Sequence, residues 1–195
     1  EWQTIAKQKE YPDGVLQLLG ELLISNILIT SNLKFEGKMI VQIQDNPKLD
    51  LAVSECTNEL NVRATAKYTK SVALDEQIKY EDCLNGGRLV ISIDAYNKAQ
   101  IYQSVIGLEN DTLADVLGDY MTQSEQLSSV FILAYTPKKI VGFMLQQLPD
   151  QKKEFINEIE RVFILANTIA KIELLNEEIS VLLHKVFNED SITLF

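Results

Sequence analysis

Residues 12–33 read PDGVLQLLGELLISNILITSNL, and the way this stretch must pack decides the fold. Its apolar residues Val15, Leu16, Leu18, Leu19, Leu22, Leu23, Ile24, Ile27, Leu28 and Ile29 recur at helical spacing and wrap most of the way round the axis. Asp13, with Pro12 just before it, supplies a start signal. A helix that is apolar on nearly all sides must be covered on nearly all sides, so it belongs in the middle of a layered fold. Gln17, Glu21, Ser25, Asn26, Thr30 and Ser31 interrupt the run and make it too polar to span a bilayer, and nothing reads as a signal peptide.

C-terminal to this helix the period drops to two. Val41 and Ile43 alternate with Gln42 and Gln44; Leu49, Leu51 and Val53 with Asp50, Ala52 and Ser54; Val62, Ala64, Ala66 and Tyr68 with Arg63, Thr65 and Lys67. That is the pattern of an antiparallel meander with one buried face. Asp45-Asn46-Pro47 and Thr57-Asn58 supply its turns. A short helix is expected near 74–80, a turn at Asn85-Gly86-Gly87, and a hairpin between strands near 89–93 and 99–106. A second helix over 112–123 precedes two strands, 130–136 and 140–147.

Pro149-Asp150 marks the clearest boundary, dividing a core (1–149) from a helical linker (150–195). Phe155, Ile159, Val162, Phe163, Ala166, Ile169 and Ala170 fall on one helical face. Leu175, Ile179, Leu182, Leu183 and Val186 form the stripe of a second helix that Asn176 caps, and residues 191–195 read as the start of a strand. Fully burying one large apolar side chain is worth ~1.5–3 kcal/mol, so such a surface does not stay in water unpartnered. It docks on the core, on another copy of the chain, or on a client.

The composition narrows the function classes. The chain has 18 basic and 28 acidic residues, a formal charge of −10, and its densest basic groupings are the pairs Lys138-Lys139 and Lys152-Lys153. A phosphate backbone or an anionic leaflet needs a concentrated basic face, so neither nucleic acid nor membrane is an expected partner. Cys56 and Cys83 stand 27 positions apart with no metal-ligand spacing, and read as buried, idle thiols of a cytoplasmic protein. His184 is the single histidine, which leaves little material for a metal site or a nucleophilic triad. Glu1 stands where a start methionine would, so further chain is expected on that side.

No catalytic constellation emerges. Asp111, Asp115 and Asp119 recur every four residues, but Asp111 sits where an N-cap belongs and Asp115 in the first turn, both favourable to the helix dipole. Gly86-Gly87 lacks the following helix that a phosphate cradle requires. Ser124 beside Glu125 has no accompanying base. The expected protein is therefore not an enzyme.

The order of residues carries more than their chemistry. Residues 102–114 (YQSVIGLENDTLA), 119–127 (DYMTQSEQL), 141–149 (VGFMLQQLP) and 22–37 (ending NLKFEG) together resemble the redox-regulated heat-shock chaperone family, the 33 kDa chaperonin, over essentially all of the chain. Its motif positions here are Gly107, Asp111, Ser124, Glu125, Gln126, Gly142, Gln146 and Pro149, expected to be structural. The resemblance implies an α+β fold, two mainly antiparallel sheets around a buried helix followed by an α-helical linker. It also implies an ATP-independent holdase for unfolding client proteins; on the apolar tail faces Phe155, Ile159, Val162, Phe163, Ile179 and Leu183 are the candidate client contacts, the alternative being that they only dock the linker on the core. In that family four cysteines beyond the linker hold zinc and act as a redox switch. None of those positions lies within residues 1–195, so no metal ligand is assigned here and zinc is expected only in a longer protein. The alternative is a self-association module, a homodimer formed by exchange of the tail helices.

Overall fold

The computed structural model describes residues 1–68, 78–96, 100–109, 111–148 and 156–188. A short helix α1 (Trp2–Ala6) precedes the long helix α2 (Asp13–Asn32). Strands β1 (Gly37–Gln44), β2 (Leu49–Thr57) and β3 (Val62–Tyr68) follow as the meander their alternation predicts. Next come α3 (Tyr80–Leu84), β4 (Arg88–Ala95), β5 (Tyr102–Gly107) and α4 (Leu113–Gln123). The hairpin β6 (Ser129–Tyr135) and β7 (Ile140–Gln146) leads to α5 (Ile156–Ala166), α6 (Lys171–Asn176) and α7 (Ile179–Val186).

Five strands in the order β3-β2-β1-β4-β5 make one antiparallel sheet, and β6-β7 make a second. In β1, Met39, Val41 and Ile43 are buried, and their neighbours on that face, Ala52, Leu89 and Ile91, are buried with them. Helix α2 lies between the two sheets. On one side the buried Asn26 amide donates to the carbonyls of Met39 (3.2 Å) and Ser54 (3.1 Å), anchoring the helix to β1 and β2. On the other side glycines allow the hairpin close: a Cβ on Gly142 would lie 2.7 Å from Leu28 Cδ1, and one on Gly20 2.8 Å from Ile140 Cγ2. The fold is the expected α+β layering of two antiparallel sheets around a covered helix. By length and composition α2 is also apolar enough to cross a membrane, at a mean hydropathy of 1.5, despite its polar interruptions; 67% of that window is buried inside the protein.

Local expectations fare unevenly. Helix α1 was not anticipated; its Trp2 packs edge-on against Tyr135 with ring centroids 6.0 Å apart, and both rings lie over Gly20 of α2. The N-cap of α4 is Thr112, not Asp111: the Thr112 hydroxyl accepts from the Asp115 N–H at 3.2 Å. Of the helix expected near 74–80, residues 74–77 lie outside the described residues, and α3 starts only at Tyr80. Among its described residues the tail forms three short helices where two were expected. Asn167 and Thr168 end α5 by turning their side chains back onto the carbonyls of Phe163 (3.0 Å) and Leu165 (2.7 Å), which competes with helix propagation. Asn176 does not start a helix; it ends α6, donating to the Ile172 carbonyl at 2.9 Å, and Glu178 takes the N-cap position of α7. Residues 191–195 lie outside the described residues.

Candidate functional site

The β6-β7 hairpin is apolar on both faces, which explains the unbroken run VFILAY at 130–135. Phe131 and Leu133 point toward α2 and the main core. Ile132 and Ala134, with Val130, Val141 and Phe143, point the other way, and there the tail covers them. Ile169, Leu174 and Leu182 are buried in this second cluster, with Leu175 and Val186 packed at its margin. The molecule is thus four layers deep: sheet, helix, hairpin, tail.

Burial of Ile169, Leu174 and Leu182 represents roughly 5–9 kcal/mol gross at ~1.5–3 kcal/mol each. Polar contacts tie the layer without matching that term. Lys139 donates to the Leu175 carbonyl at 2.7 Å, and within the tail Lys185 pairs with Glu173 and, at 3.6 Å, with Glu177. Glu173 also accepts from the Ala170 N–H at 3.0 Å, closing the first turn of α6. Pairs this exposed are worth ~0–1 kcal/mol each, so apolar contact dominates the docking.

The other faces of the tail are unpartnered among the described residues. Ile164, Ile172, Ile179 and Val181 are all more than half exposed. Of the client contacts expected from sequence, Ile179 is on this open face, while Ile159, Val162, Phe163 and Leu183 are half-buried. Phe155 lies outside the described residues. The structure therefore splits the second stripe, with Leu182 and Val186 docked and Ile179 turned to solvent. Leu174, a principal docking residue, was missed, because the break after Ala166 rotates the following turn away from the periodicity of α5.

The motif positions are joints of the core. Ser124 ends α4, with its N–H on the Tyr120 carbonyl at 2.8 Å, and Gln126 turns the chain at φ 57°. The Glu125 carboxylate accepts from the Tyr120 hydroxyl at 2.8 Å and the Tyr102 hydroxyl at 3.4 Å, joining this turn to β5. Gln146 donates to the Ser129 hydroxyl at 3.3 Å across the hairpin, and Gly142 is the close approach to α2. Gly107 ends β5 and Asp111 is exposed ahead of α4; Pro149 lies outside the described residues. Beside Glu125 a cleft of about 420 Å³ opens between Leu33, Phe35, Ile93 and Tyr102, at the free edge of the large sheet.

Among the described residues this arrangement gathers no set of reactive groups. Asp111, Asp115, Asp119 and His184 are exposed, and among the described residues no cluster of three His, Cys, Asp or Glu could hold a metal ion. The two thiols do not fit a zinc site. Cys56 lies buried on β2, donating to the Thr57 carbonyl, and Cys83 lies buried in α3, donating to the Lys79 carbonyl. Burial pushes the Cys56 thiol up, and burial with the nearby Asp82 and Glu81 pushes Cys83 up to about 12. A thiolate is both the nucleophile and the ligand, so at pH 8 both groups are protonated and inert. Ellman's reagent is expected to titrate neither in the native protein over minutes and both in denaturant; a fast native thiol would contradict this packing.

Fold and site together define a class: α+β proteins in which an apolar helical layer, rather than a polar pocket, is the conspicuous surface. The chain belongs to the Hsp33 protein family, whose sequence profile matches residues 1–195. The 33 kDa chaperonin of Chromobacterium violaceum is 34% identical over 195 residues, covering 100% of this chain and 65% of that protein. The 33 kDa chaperonin of Vibrio cholerae is 35% identical, covering 100% of this chain and 67% of that protein. The chain thus spans about two thirds of the length of these relatives. The crystal structure of the 33 kDa chaperonin from Thermotoga maritima superposes with a TM-score of 0.75 at 22% identity, over 94% of this chain and 66% of that one, which supports the fold.

Proposed function

We propose that this chain is the body of an ATP-independent molecular chaperone, a holdase that keeps unfolding proteins from aggregating and performs no bond chemistry. The observation that carries the reading is the tail layer, held by Ile169, Leu174 and Leu182 while Ile164, Ile172, Ile179 and Val181 stay open to solvent. Docking and client capture compete for one apolar surface, so undocking converts buried area into binding area. The cleft at the β5 edge, walled by Leu33, Phe35, Ile93 and the exposed Tyr102, offers a second apolar contact on the core. The names of the relatives support the same class of activity. Redox activation under oxidative and heat stress, with zinc held by cysteines, is proposed for the longer protein; Cys56 and Cys83 do not supply it. A formal charge of −10 without a basic face favours client polypeptides over nucleic acid or membrane, and a cytoplasmic setting.

Adding the protein to a chemically unfolded client and following light scattering tests this. Suppression of aggregation at stoichiometric amounts is expected, and none at severalfold excess would overturn it. The four exposed residues of the tail also favour a second reading, a dimer formed by exchange of the tail helices. Sedimentation showing a monomer at high concentration would dismiss that.

A further inference from the structure

The core helix carries one buried acid that neither the docking nor the proposed client binding uses. Glu21 is 2% exposed, in the middle of α2. Its carboxylate accepts from the Tyr80 hydroxyl of α3 and, at 3.1 Å, from the Gln17 amide one turn back. The same Tyr80 oxygen accepts from the Leu113 N–H at the start of α4, at 3.1 Å, so the acid sits where three helices of the core meet. Desolvation holds its carboxyl above the usual carboxylate range, against the lowering pull of Tyr80, Gln17 and Lys171. Asp115 of α4 adds a further negative charge beside Tyr80. The cation facing this acid comes from the tail: Lys171 Nζ, at the first position of α6, lies 4.0 Å from Glu21 Oε1.

These observations have a common consequence. Apolar contact is non-directional, and the Lys139 bond to the Leu175 carbonyl holds the C-terminal end of α6 to the hairpin but not its start. A point charge aimed at a buried, anionic socket fixes where α6 begins, three residues before docked Leu174. The core keeps every hydrogen bond to Glu21 when the tail leaves, but it loses the positive charge, and an enclosed carboxylate without a counter-ion is costly. We propose that Glu21 is the core's receptor for the tail and that Lys171 is the key that locks it, an autoinhibitory latch holding the apolar layer docked. That release then exposes client-binding surface rests on the holdase reading; the latch itself does not.

The test compares native protein with Lys171→Met, Lys171→Arg, Glu21→Gln and the Glu21→Gln/Lys171→Met double variant. The readout is chymotryptic cleavage within 166–188, where Leu174, Leu182 and Phe187 are protected only while docked. Lys171→Met is expected to speed cleavage by about fivefold, the upper range for an ion pair whose lysine is half exposed. Lys171→Arg should restore most of the protection. In the Glu21→Gln background Lys171→Met should change cleavage less than about twofold, the signature of coupled residues. An equal effect in both backgrounds, or none in either, overturns the latch. Should Glu21→Gln disturb the core, salt gives an independent reading: the penalty of Lys171→Met must shrink between ~0.05 M and 1 M salt, and a salt-independent penalty overturns it. No client is present in these assays, so failure of the holdase reading shows only in light scattering and leaves this outcome separate.

Discussion

Leu182→Asp is expected to free the tail while leaving the core folded. Leu182 is 1% exposed and belongs to the outer cluster with Ile132, Ala134, Ile169 and Leu174, not to the main core around α2. The substitution removes ~1.5–3 kcal/mol of apolar burial. It also asks a carboxylate to enter a site with no donor, which adds about 1–3 kcal/mol. Against docking that rests on three such residues, a loss of about 4 kcal/mol moves the balance toward the undocked form by close to three powers of ten. The urea midpoint of the core should shift little, because distant clusters contribute independently. Dye binding to apolar surface and tail proteolysis should rise sharply, and suppression of client aggregation should rise with them. A variant with a free tail and unchanged client protection would separate docking from function and remove the tail from the proposed mechanism. Leu182→Ala should show the same changes at smaller size, since it leaves a cavity but buries no charge.

The asymmetry between core and tail also explains what could be read from the chain. Helix α2 was legible because its apolar residues leave no polar face, and a helix like that has only one place to go. The meander β1–β3 was legible because one face is wet: Gln42 and Lys67 announce the outside as clearly as Val41 and Ala66 announce the inside. The hairpin β6-β7 reads as strands but not as a double-sided layer, since only the docked tail shows why both faces are apolar. The tail misled for a physical reason. Periodicity carries a face along one continuous helix, and α5 stops at Ala166, so the phase established by Val162 and Phe163 says nothing about Leu174. Glu21 was visible only as a polar interruption. Its partners Tyr80 and Lys171 lie 59 and 150 positions away, a separation no local pattern spans.

Gly14→Val should unfold the protein, and its reason lies in backbone rather than side-chain contact. Gly14 sits in the first turn of α2, and a Cβ there would lie 2.3 Å from the Lys79 carbonyl carbon, 2.5 Å from the Ile78 oxygen and 2.5 Å from the Tyr80 nitrogen. No real Cβ tolerates such distances, and the obstacle cannot swing aside as a side-chain end would. Its retreat is blocked as well: Ile78 is 2% exposed, the Lys79 N–H is held by Asp82 at 3.0 Å, and Tyr80 is tied to Glu21 and to Leu113. Either the helix tilts off both sheets or the 78–80 segment breaks its bonds. Overpacking of this kind costs about 4 kcal/mol or more, a large part of the ~5–15 kcal/mol that holds a domain together. Gly14→Ala should already lose most of that, because the first carbon is the one that clashes. Gly86→Ala is the control. Its nearest obstacle is Pro47 Cδ at 3.7 Å, leaving only the strain of φ +83°, about 1 kcal/mol. Urea melts of the three variants should therefore fall in two classes, a mild shift at Gly86 and a loss of the cooperative transition at Gly14. A cooperative, near-native melt for Gly14→Val would mean that α2 does not enter the core along the backbone of residues 78–80.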